Sequence, residues 1–139
     1  MSRPALVVDL DGTLALIGDR SPYNADDCGL DTVNPAVRTV MDWAQTAGWA
    51  ILLVSGRGVK VTHRYATEQW LTWNGIDYEA LFTRKPGDGR PDHVAKEEIY
   101  HLHIENNWDV RLVLDDNSSV TRMWRHTLGL TCFQVDDRI

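Results

Sequence analysis

The sequence predicts an α/β fold in which a central parallel sheet of five strands carries helices on both faces, giving three layers. Apolar runs typical of buried strands alternate along the chain with segments of helical periodicity. Because parallel strands need a crossover connection, this alternation favours right-handed βαβ units. With 139 residues, 43% of them hydrophobic and 24% charged, residues 1–139 are predicted to form one domain.

The strands are predicted from apolar runs that end at turn residues or acids. They cover residues 5–8, 49–54, 80–83, 110–114 and 131–135. Four helices are predicted between them, over residues 35–47, 61–73, 92–104 and 119–128. Asn34-Pro35 is a helix-start signal, since Asn caps a helix and Pro suits its first position. Residues 15–33 are polar and rich in Asp, Gly, Ser and Pro, and are predicted to form a flap or loop.

Composition excludes several classes of protein. The net charge of −6 disfavours a broad basic face that follows a nucleic-acid duplex. No apolar stretch is long enough for a signal peptide or a membrane span, so we expect a cytoplasmic protein without membrane contact. Two cysteines, Cys28 and Cys132, are too few for a disulfide scaffold or a zinc cluster and are predicted to be reduced, part-buried thiols.

The tryptophans are predicted to pack in the core. Trp43, Trp70, Trp73 and Trp124 fall at helical spacing with other apolar residues. This pattern favours core packing over a base-stacking surface.

Polar clusters follow three of the predicted strands. They are Asp9 and Asp11 after the first strand, Ser55 and Arg57 after the second, and Asp115 and Asp116 after the fourth. In an open parallel sheet the site lies outside the carboxyl ends of the strands, where these clusters would converge. Carboxylates placed together repel unless a cation or a proton lies between them, and a divalent cation with a substrate phosphate meets that need.

These motifs, in this order, resemble those of the haloacid dehalogenase superfamily of aspartyl-phosphate-forming phosphatases. The match includes Asp9-Leu-Asp-Gly-Thr-Leu14, Val54-Ser-Gly-Arg57, a lysine and Leu114-Asp-Asp116. Further segments resemble the 3′-phosphatase domain of phage-type polynucleotide kinase-phosphatase, over nearly the whole chain: Arg20-Ser-Pro-Tyr23, Lys96-Glu-Glu-Ile99 and Met123-Trp-Arg125. The resemblance implies a Rossmann-like three-layer sandwich with no cap domain and only a minimal flap, about residues 15–33.

The resemblance also implies catalytic roles. Asp9 would be the nucleophile that forms an aspartyl phosphate, and Asp11 would act as general acid and then general base. Ser55 would hydrogen-bond a phosphoryl oxygen, and Lys96 would neutralise charge. Lys85, which precedes Pro86, is the alternative for the motif lysine.

Magnesium is the cofactor that the resemblance implies. Mg²⁺ would bind the carboxylates of Asp9 and Asp115 and the backbone carbonyl of Asp11, with Asp116 acting through a water.

Several further residues are expected at the substrate. Arg20, Arg57 and Arg84 can fork onto phosphate oxygens, although Arg20 and Arg84 could instead be surface charges. Thr13 and Gly56 belong to the same motifs. Asp92 is either a helix cap or a residue that orients Lys96.

The resulting hypothesis is a Mg²⁺-dependent phosphatase that removes 3′-phosphates, with 2′,3′-cyclic phosphates as a further candidate, from DNA or RNA ends in repair. Its expected partners are those 3′ ends and a separate polynucleotide kinase and ligase, because no G-x-x-x-x-G-K-[ST] loop marks a kinase domain. The alternatives are a phosphatase of a small sugar phosphate or nucleotide and a catalytically silent module that binds strand ends. Monomer and homodimer both remain open.

Overall fold

A computed structural model describes residues 2–136, which are built around a parallel sheet. Residues 2–136 contain seven strands: β1 (Arg3–Val8), β2 (Ala15–Leu16), β3 (Thr32–Val33), β4 (Ala50–Ser55), β5 (Ala80–Thr83), β6 (Trp108–Asp115) and β7 (Cys132–Gln134). Five of them form the parallel sheet in the order β5-β4-β1-β6-β7. The chain first builds outward from β1 through β4 to β5 and then returns to the other side of β1. The predicted five-stranded parallel sheet is confirmed.

Helices cover both faces of this sheet. They are α1 (Pro35–Thr46), α2 (Val61–Trp73), α3 (Asp92–Ile99) and α4 (Ser118–Arg122). The last two continue as π-helical turns over Tyr100–Ile104 and Met123–Thr127. Asn34 caps α1 by accepting a 3.1 Å hydrogen bond from the backbone N of Ala36, as the helix-start signal predicted.

Strand β1 separates two hydrophobic cores because its alternate side chains point to opposite faces. Leu6 and Val8 belong to the core that includes Met41 of α1 and Trp70 of α2. Ala5 and Val7 belong to the core that includes Trp124, beyond α4. Side chains buried on both faces confirm the three-layer arrangement.

The predicted flap contains short regular elements. Strands β2 and β3 pair antiparallel, and a 3₁₀ helix spans Ala25–Leu30 between them. In the described part of the chain, this segment is all that separates β1 from α1, so no cap domain covers the sheet edge there.

Two further expectations concern membrane-spanning helices and the two cysteine thiols. Among residues 2–136, none of the helices combines the length and the apolar character that crossing a membrane requires. Cys28 and Cys132 are both buried and unpaired.

The prediction that four tryptophans pack in the core is half wrong. Trp70 and Trp124 are fully buried, but Trp43 and Trp73 are each 69% exposed. Trp43 directly precedes Ala44 of the buried stripe of α1, and one residue is a rotation of about 100° on a helix. The periodicity therefore marks the helix correctly but assigns these two residues to the wrong face.

Substituting one tryptophan of each kind tests this placement. We expect Trp70→Ala to lower the free energy of unfolding by about 3–5 kcal/mol, because it leaves a large cavity. We expect Trp43→Ala to cost less than about 1 kcal/mol, since surface changes are usually small. Urea denaturation of both variants measures the difference, and equal losses would contradict the exposure of Trp43.

Candidate active site

The site lies at the carboxyl end of β1, between its neighbours β4 and β6. The sheet order reverses at β1, so a crevice opens there between the segments that follow these strands. Asp9 follows β1, Ser55 ends β4, and Asp115 ends β6. The predicted polar clusters therefore meet at one sheet edge.

Three buried carboxylates form the centre of the site. Asp9, Asp115 and Asp116 each offer an oxygen, and these oxygens lie within 4.8 Å of one another. The hydroxyl of Thr13 lies 3.1 Å from Oδ2 of Asp9 and 3.2 Å from Oδ1 of Asp116. Burial, followed by the charge of Asp115, raises the pKa of Asp9 well above its ordinary value. Burial likewise raises the pKa of Asp116.

Lys96 is the cation that faces this acid cluster. Its Nζ donates hydrogen bonds of 2.8 Å to Oδ1 of Asp9 and 2.9 Å to Oδ2 of Asp115. Burial alone would lower the pKa of Lys96, but the charges of Asp115 and Asp9 outweigh burial and hold that pKa above its ordinary value. Lys85 is exposed. The structure thus brings Lys96, and not Lys85, to the acids.

The acid cluster fits a divalent cation. One lysine offsets only part of the charge of three carboxylates. Oδ2 of Asp116 is buried and has no hydrogen-bond partner among the described residues. An unsatisfied buried carboxylate oxygen is costly unless a proton or a cation compensates it, and oxygen ligands are those that Mg²⁺ and Ca²⁺ prefer.

Neighbouring groups hold Asp115 in place. Its Oδ2 accepts a 3.2 Å hydrogen bond from the indole Nε1 of Trp124, and its Oδ1 accepts one of 3.1 Å from the backbone N of Asn117. The buried Trp124 therefore contributes to the site as well as to the core. It shares Oδ2 of Asp115 with Lys96.

Two motif glycines are required by close approach. Gly12 has φ +83°, and a Cβ there would lie 2.2 Å from Oδ2 of Asp116. A Cβ at Gly56 would lie 2.5 Å from Oδ1 of Asp92. A side chain at either position would displace an acid at the site.

Asp11 lies outside the acid cluster and binds two arginines. Its Oδ1 accepts hydrogen bonds from Nη2 of Arg57 at 2.6 Å and from Nη2 of Arg20 at 2.8 Å. Both arginines also pair with Asp31, which is buried. Burial would lower the pKa of Arg57, but the Asp11 carboxylate outweighs burial and raises that pKa. Two predicted phosphate ligands thus have partners inside the protein.

The remaining predicted residues are also engaged within the fold. Arg84 is buried, donates to the backbone carbonyls of Gly56, Asp88 and Arg90, and pairs with Asp92. Asp92 is the first residue of α3, and the structure brings it to Arg84. The hydroxyl of Ser55 is buried and accepts a 3.1 Å hydrogen bond from the backbone N of Arg57. Neither Arg20 nor Arg84 is a free surface charge.

An open cleft of about 620 Å³ leads from the acid cluster to solvent. The flap contributes Pro22 and Tyr23 to its wall, and Val59 follows β4. Residues 88–93, which include the end of the β5–α3 loop and the first two residues of α3, form another wall. This volume exceeds what a single phosphate group needs and lies within the range of small-molecule binding sites in general.

Comparison with known proteins assigns the chain to a family. Residues 3–138 match the family model for the phosphatase domain of the polynucleotide kinase PNKP. This domain is of haloacid dehalogenase type. The chain belongs to this family. Its resemblance to the haloacid dehalogenase superfamily and to polynucleotide kinase-phosphatase is therefore confirmed.

Relatives of this PNKP-type phosphatase domain are longer proteins. A protein of Autographa californica nuclear polyhedrosis virus, named as a bifunctional polynucleotide kinase/RNA ligase, is 31% identical over 134 residues, which are 94% of this chain and 19% of that protein. A solved chain from the Pnkp1/Rnl/Hen1 complex matches with a TM-score of 0.93 and 38% identity, over 97% of this chain and 46% of that chain. A second, from the Pnkp1/Rnl/Hen1 RNA repair complex, gives 0.92 and 38%, over 97% and 43%. The chain thus spans less than half of these relatives.

Sequence reasoning missed Asp31 of this PNKP-type domain. Asp31 lies at the end of the flap, where no periodicity indicates burial, yet its carboxylate binds Arg20 and Arg57. Its backbone carbonyl also accepts a 2.9 Å hydrogen bond from Nε1 of Trp70. Asp31 pairs with residues 11 and 26 positions earlier or later in the chain, beyond the reach of helix or strand periodicity, so no local signal reveals the pairing.

Removing this buried charge should destabilise the domain. We expect Asp31→Asn to lower the free energy of unfolding by about 3 kcal/mol, because two arginines lose part of their compensation. Asp19→Asn makes the same charge change at an exposed flap position and should cost under about 0.5 kcal/mol. Chemical denaturation compares the two variants, and a neutral effect of Asp31→Asn would refute the importance of the pairing.

Proposed function

We propose that this domain is a Mg²⁺-dependent phosphomonoesterase that removes 3′-phosphates from polynucleotide ends through an aspartyl phosphate on Asp9. The observation that carries the proposal is the buried set of Asp9, Asp115, Asp116 and Lys96 at the inner end of an open cleft. Membership of the PNKP phosphatase family supports the same reaction class.

Asp9 supplies the nucleophile in this scheme. One of its oxygens attacks phosphorus in line, so that an O–P bond to Asp9 forms while the bond from phosphorus to the sugar oxygen breaks. Lys96 holds Oδ1 of Asp9 at 2.8 Å and fixes the carboxylate for attack. Water then attacks the phosphorus of the aspartyl phosphate, which releases inorganic phosphate and restores Asp9.

Asp11 moves the proton in both half-reactions. It protonates the departing sugar oxygen and then removes a proton from the attacking water. The guanidinium groups of Arg57 and Arg20 hold Oδ1 of Asp11, which leaves its Oδ2 for this proton. Asp31 in turn holds both arginines, so we assign these three residues to the positioning of Asp11.

Mg²⁺ would be held by the carboxylates of Asp9, Asp115 and Asp116, with the backbone carbonyl of Asp11 as a further proposed ligand. When bound, it supplies positive charge that stabilises the phosphoryl oxygens in the transition state. Thr13 contacts Asp9 and Asp116, Gly56 lines the same cleft, and Ser55 ends the neighbouring strand β4; these three residues are proposed to border the phosphoryl group. Arg84 and Asp92 would support that border through the carbonyl of Gly56.

RNA 3′ ends are the substrate class that the relatives favour. Two similar chains come from Pnkp1/Rnl/Hen1 complexes, one of them named as an RNA repair complex, and the viral relative is named as a kinase/RNA ligase. We therefore propose that a polynucleotide kinase and an RNA ligase act beside this domain. RNA ends with a 2′,3′-cyclic phosphate are a further proposed substrate.

Metal binding should be measurable without turnover. We expect Mg²⁺ at about 100 times its Kd to stabilise the wild-type domain by about 2.7 kcal/mol, because it binds only the folded state. Asp116→Asn removes a ligand and should abolish this gain, whereas Asp109→Asn, at an exposed position of β6, should keep it. Thermal denaturation with and without Mg²⁺ tests this, and equal Mg²⁺-dependent gains in the two variants would exclude Asp116 as a ligand.

Phosphate release tests the proposed reaction. We expect Mg²⁺-dependent release from an RNA oligonucleotide with a 3′-phosphate and none from its 5′-phosphorylated isomer, with loss of activity in EDTA. Asp9→Asn keeps the shape but removes the nucleophile and should lower kcat by at least about 10³-fold. Faster release from a sugar phosphate would instead make this a small-molecule phosphatase, and tight binding of 3′-phosphate ends without release would indicate a silent end-binding module.

A further inference from the structure

Arg20, Arg57 and Arg84, which were predicted to bind phosphate, form ion pairs with acids of the protein. A different cation must therefore be sought as a ligand of the substrate. Among the described residues that line the cleft, the arginines are Arg57, Arg84 and Arg90. The side chains of Arg57 and Arg84 are 0% and 8% exposed, whereas that of Arg90 is 48% exposed. Arg90 is therefore the cleft arginine that a ligand can reach without rearranging the site.

The guanidinium of Arg90 is held in place with one edge free. Its Nε and Nη2 donate to the two carboxylate oxygens of Asp88, at 2.9 and 2.8 Å, and Nη2 also pairs with Glu98. Nη1 of Arg84 donates a hydrogen bond to the backbone carbonyl of Arg90. Within residues 2–136, Nη1 of Arg90 donates to no protein acceptor, so its two N–H groups remain available.

An arginine fixed in this way suits a phosphate that is bound but not cleaved. The two N–H groups of Nη1 can donate directed hydrogen bonds to phosphate oxygens, and holding the guanidinium in place in advance reduces the entropy lost on binding. The cleft extends from the acid cluster to Arg90 and has room for more than one phosphate group. Together Asp88 and Glu98 carry more negative charge than Arg90 carries positive charge, so the contribution of Arg90 depends on the directed N–H groups of Nη1 and should be moderate.

We propose that Arg90 binds the internucleotide phosphate that precedes the terminal nucleotide, and that this contact makes the domain prefer polynucleotide ends to single nucleotides. The inference rests on the proposed 3′-phosphatase function. Its substrate class is a 3′-phosphorylated chain of at least two nucleotides. Arg90 is thereby a specificity residue, remote from the bond that is broken.

A neutral linkage provides a direct test. The substrates are a dinucleotide 3′-phosphate and the same molecule with an uncharged methylphosphonate linkage. In the wild-type domain we expect the neutral linkage to lower kcat/KM about tenfold, mainly through KM, as for one charge-assisted contact at a partly exposed site. In Arg90→Ala the two substrates should react alike, and Arg90→Lys should recover part of the preference because it keeps the charge.

Arg111→Ala is the matched control. Arg111 pairs with Asp109 two residues earlier, as Arg90 pairs with Asp88, and its side chain is 54% exposed. It does not line the cleft. Arg111→Ala makes the same change in net charge and should leave the tenfold preference intact. With a long single-stranded RNA that ends in a 3′-phosphate as substrate, the slope of log kcat/KM against log salt should fall in magnitude by about 0.7 in Arg90→Ala only, since one phosphate contact is lost.

Each contrary result has a distinct meaning. A tenfold linkage effect that persists in Arg90→Ala overturns the inference, as does its absence in the wild-type domain. An equal loss on both substrates in Arg90→Ala would show that Arg90 only maintains residues 88–93. If no substrate releases phosphate, the proposed function fails, and calorimetric binding of the two dinucleotides to the same variants then decides whether Arg90 recognises the linkage.

Discussion

The pairing of Lys96 with buried acids is the interaction on which the site depends. Asp9, Asp115 and Asp116 come from the ends of β1 and β6, and their charges would drive these segments apart if nothing compensated them. Lys96 reaches them from α3, so the position of that helix and the protonation of the acids are linked. Because one lysine does not balance three carboxylates, the folded domain needs a further cation or a bound proton at this place.

A second charge network holds Asp11 and attaches the flap to the sheet. Arg20 and Asp31 belong to the flap, Arg57 follows β4, and Asp11 follows β1. Their pairings connect the flap to two strands of the sheet, and the hydrogen bond from Trp70 to the carbonyl of Asp31 extends this connection to α2. The flap is therefore part of the structure that orients Asp11 and not a loose cover.

Local sequence patterns predicted the helices and strands more accurately than they predicted the contacts between side chains. The apolar run of β1 and the cap at Asn34 are local signals, and both are confirmed. Strand β6 begins at Trp108, earlier than predicted, because the exposed Asp109 interrupts the apolar pattern at its amino end. The helix predicted over residues 92–104 ends in a π-helical turn. The periodicity of a single π-helical turn is too close to that of an α-helix for the sequence pattern to distinguish the two. Trp43 shows that apolar character alone does not determine a helix face.

The arginines show why the site could be predicted only in part. Sequence motifs identify arginines whose guanidinium groups can bind phosphate. They do not reveal whether an acid of the same protein already accepts hydrogen bonds from those guanidinium groups. Arg57 and Arg84 are bound by residues distant in the chain or in a neighbouring loop, and only the fold brings these partners together. Arg90 belongs to none of the sequence motifs. It nevertheless lines the cleft, and among residues 2–136 its Nη1 has no protein acceptor. In this domain the buried arginines hold Asp11 and the carbonyl of Gly56, so we propose that recognition of a polynucleotide beyond its terminal nucleotide falls to Arg90 on the cleft wall.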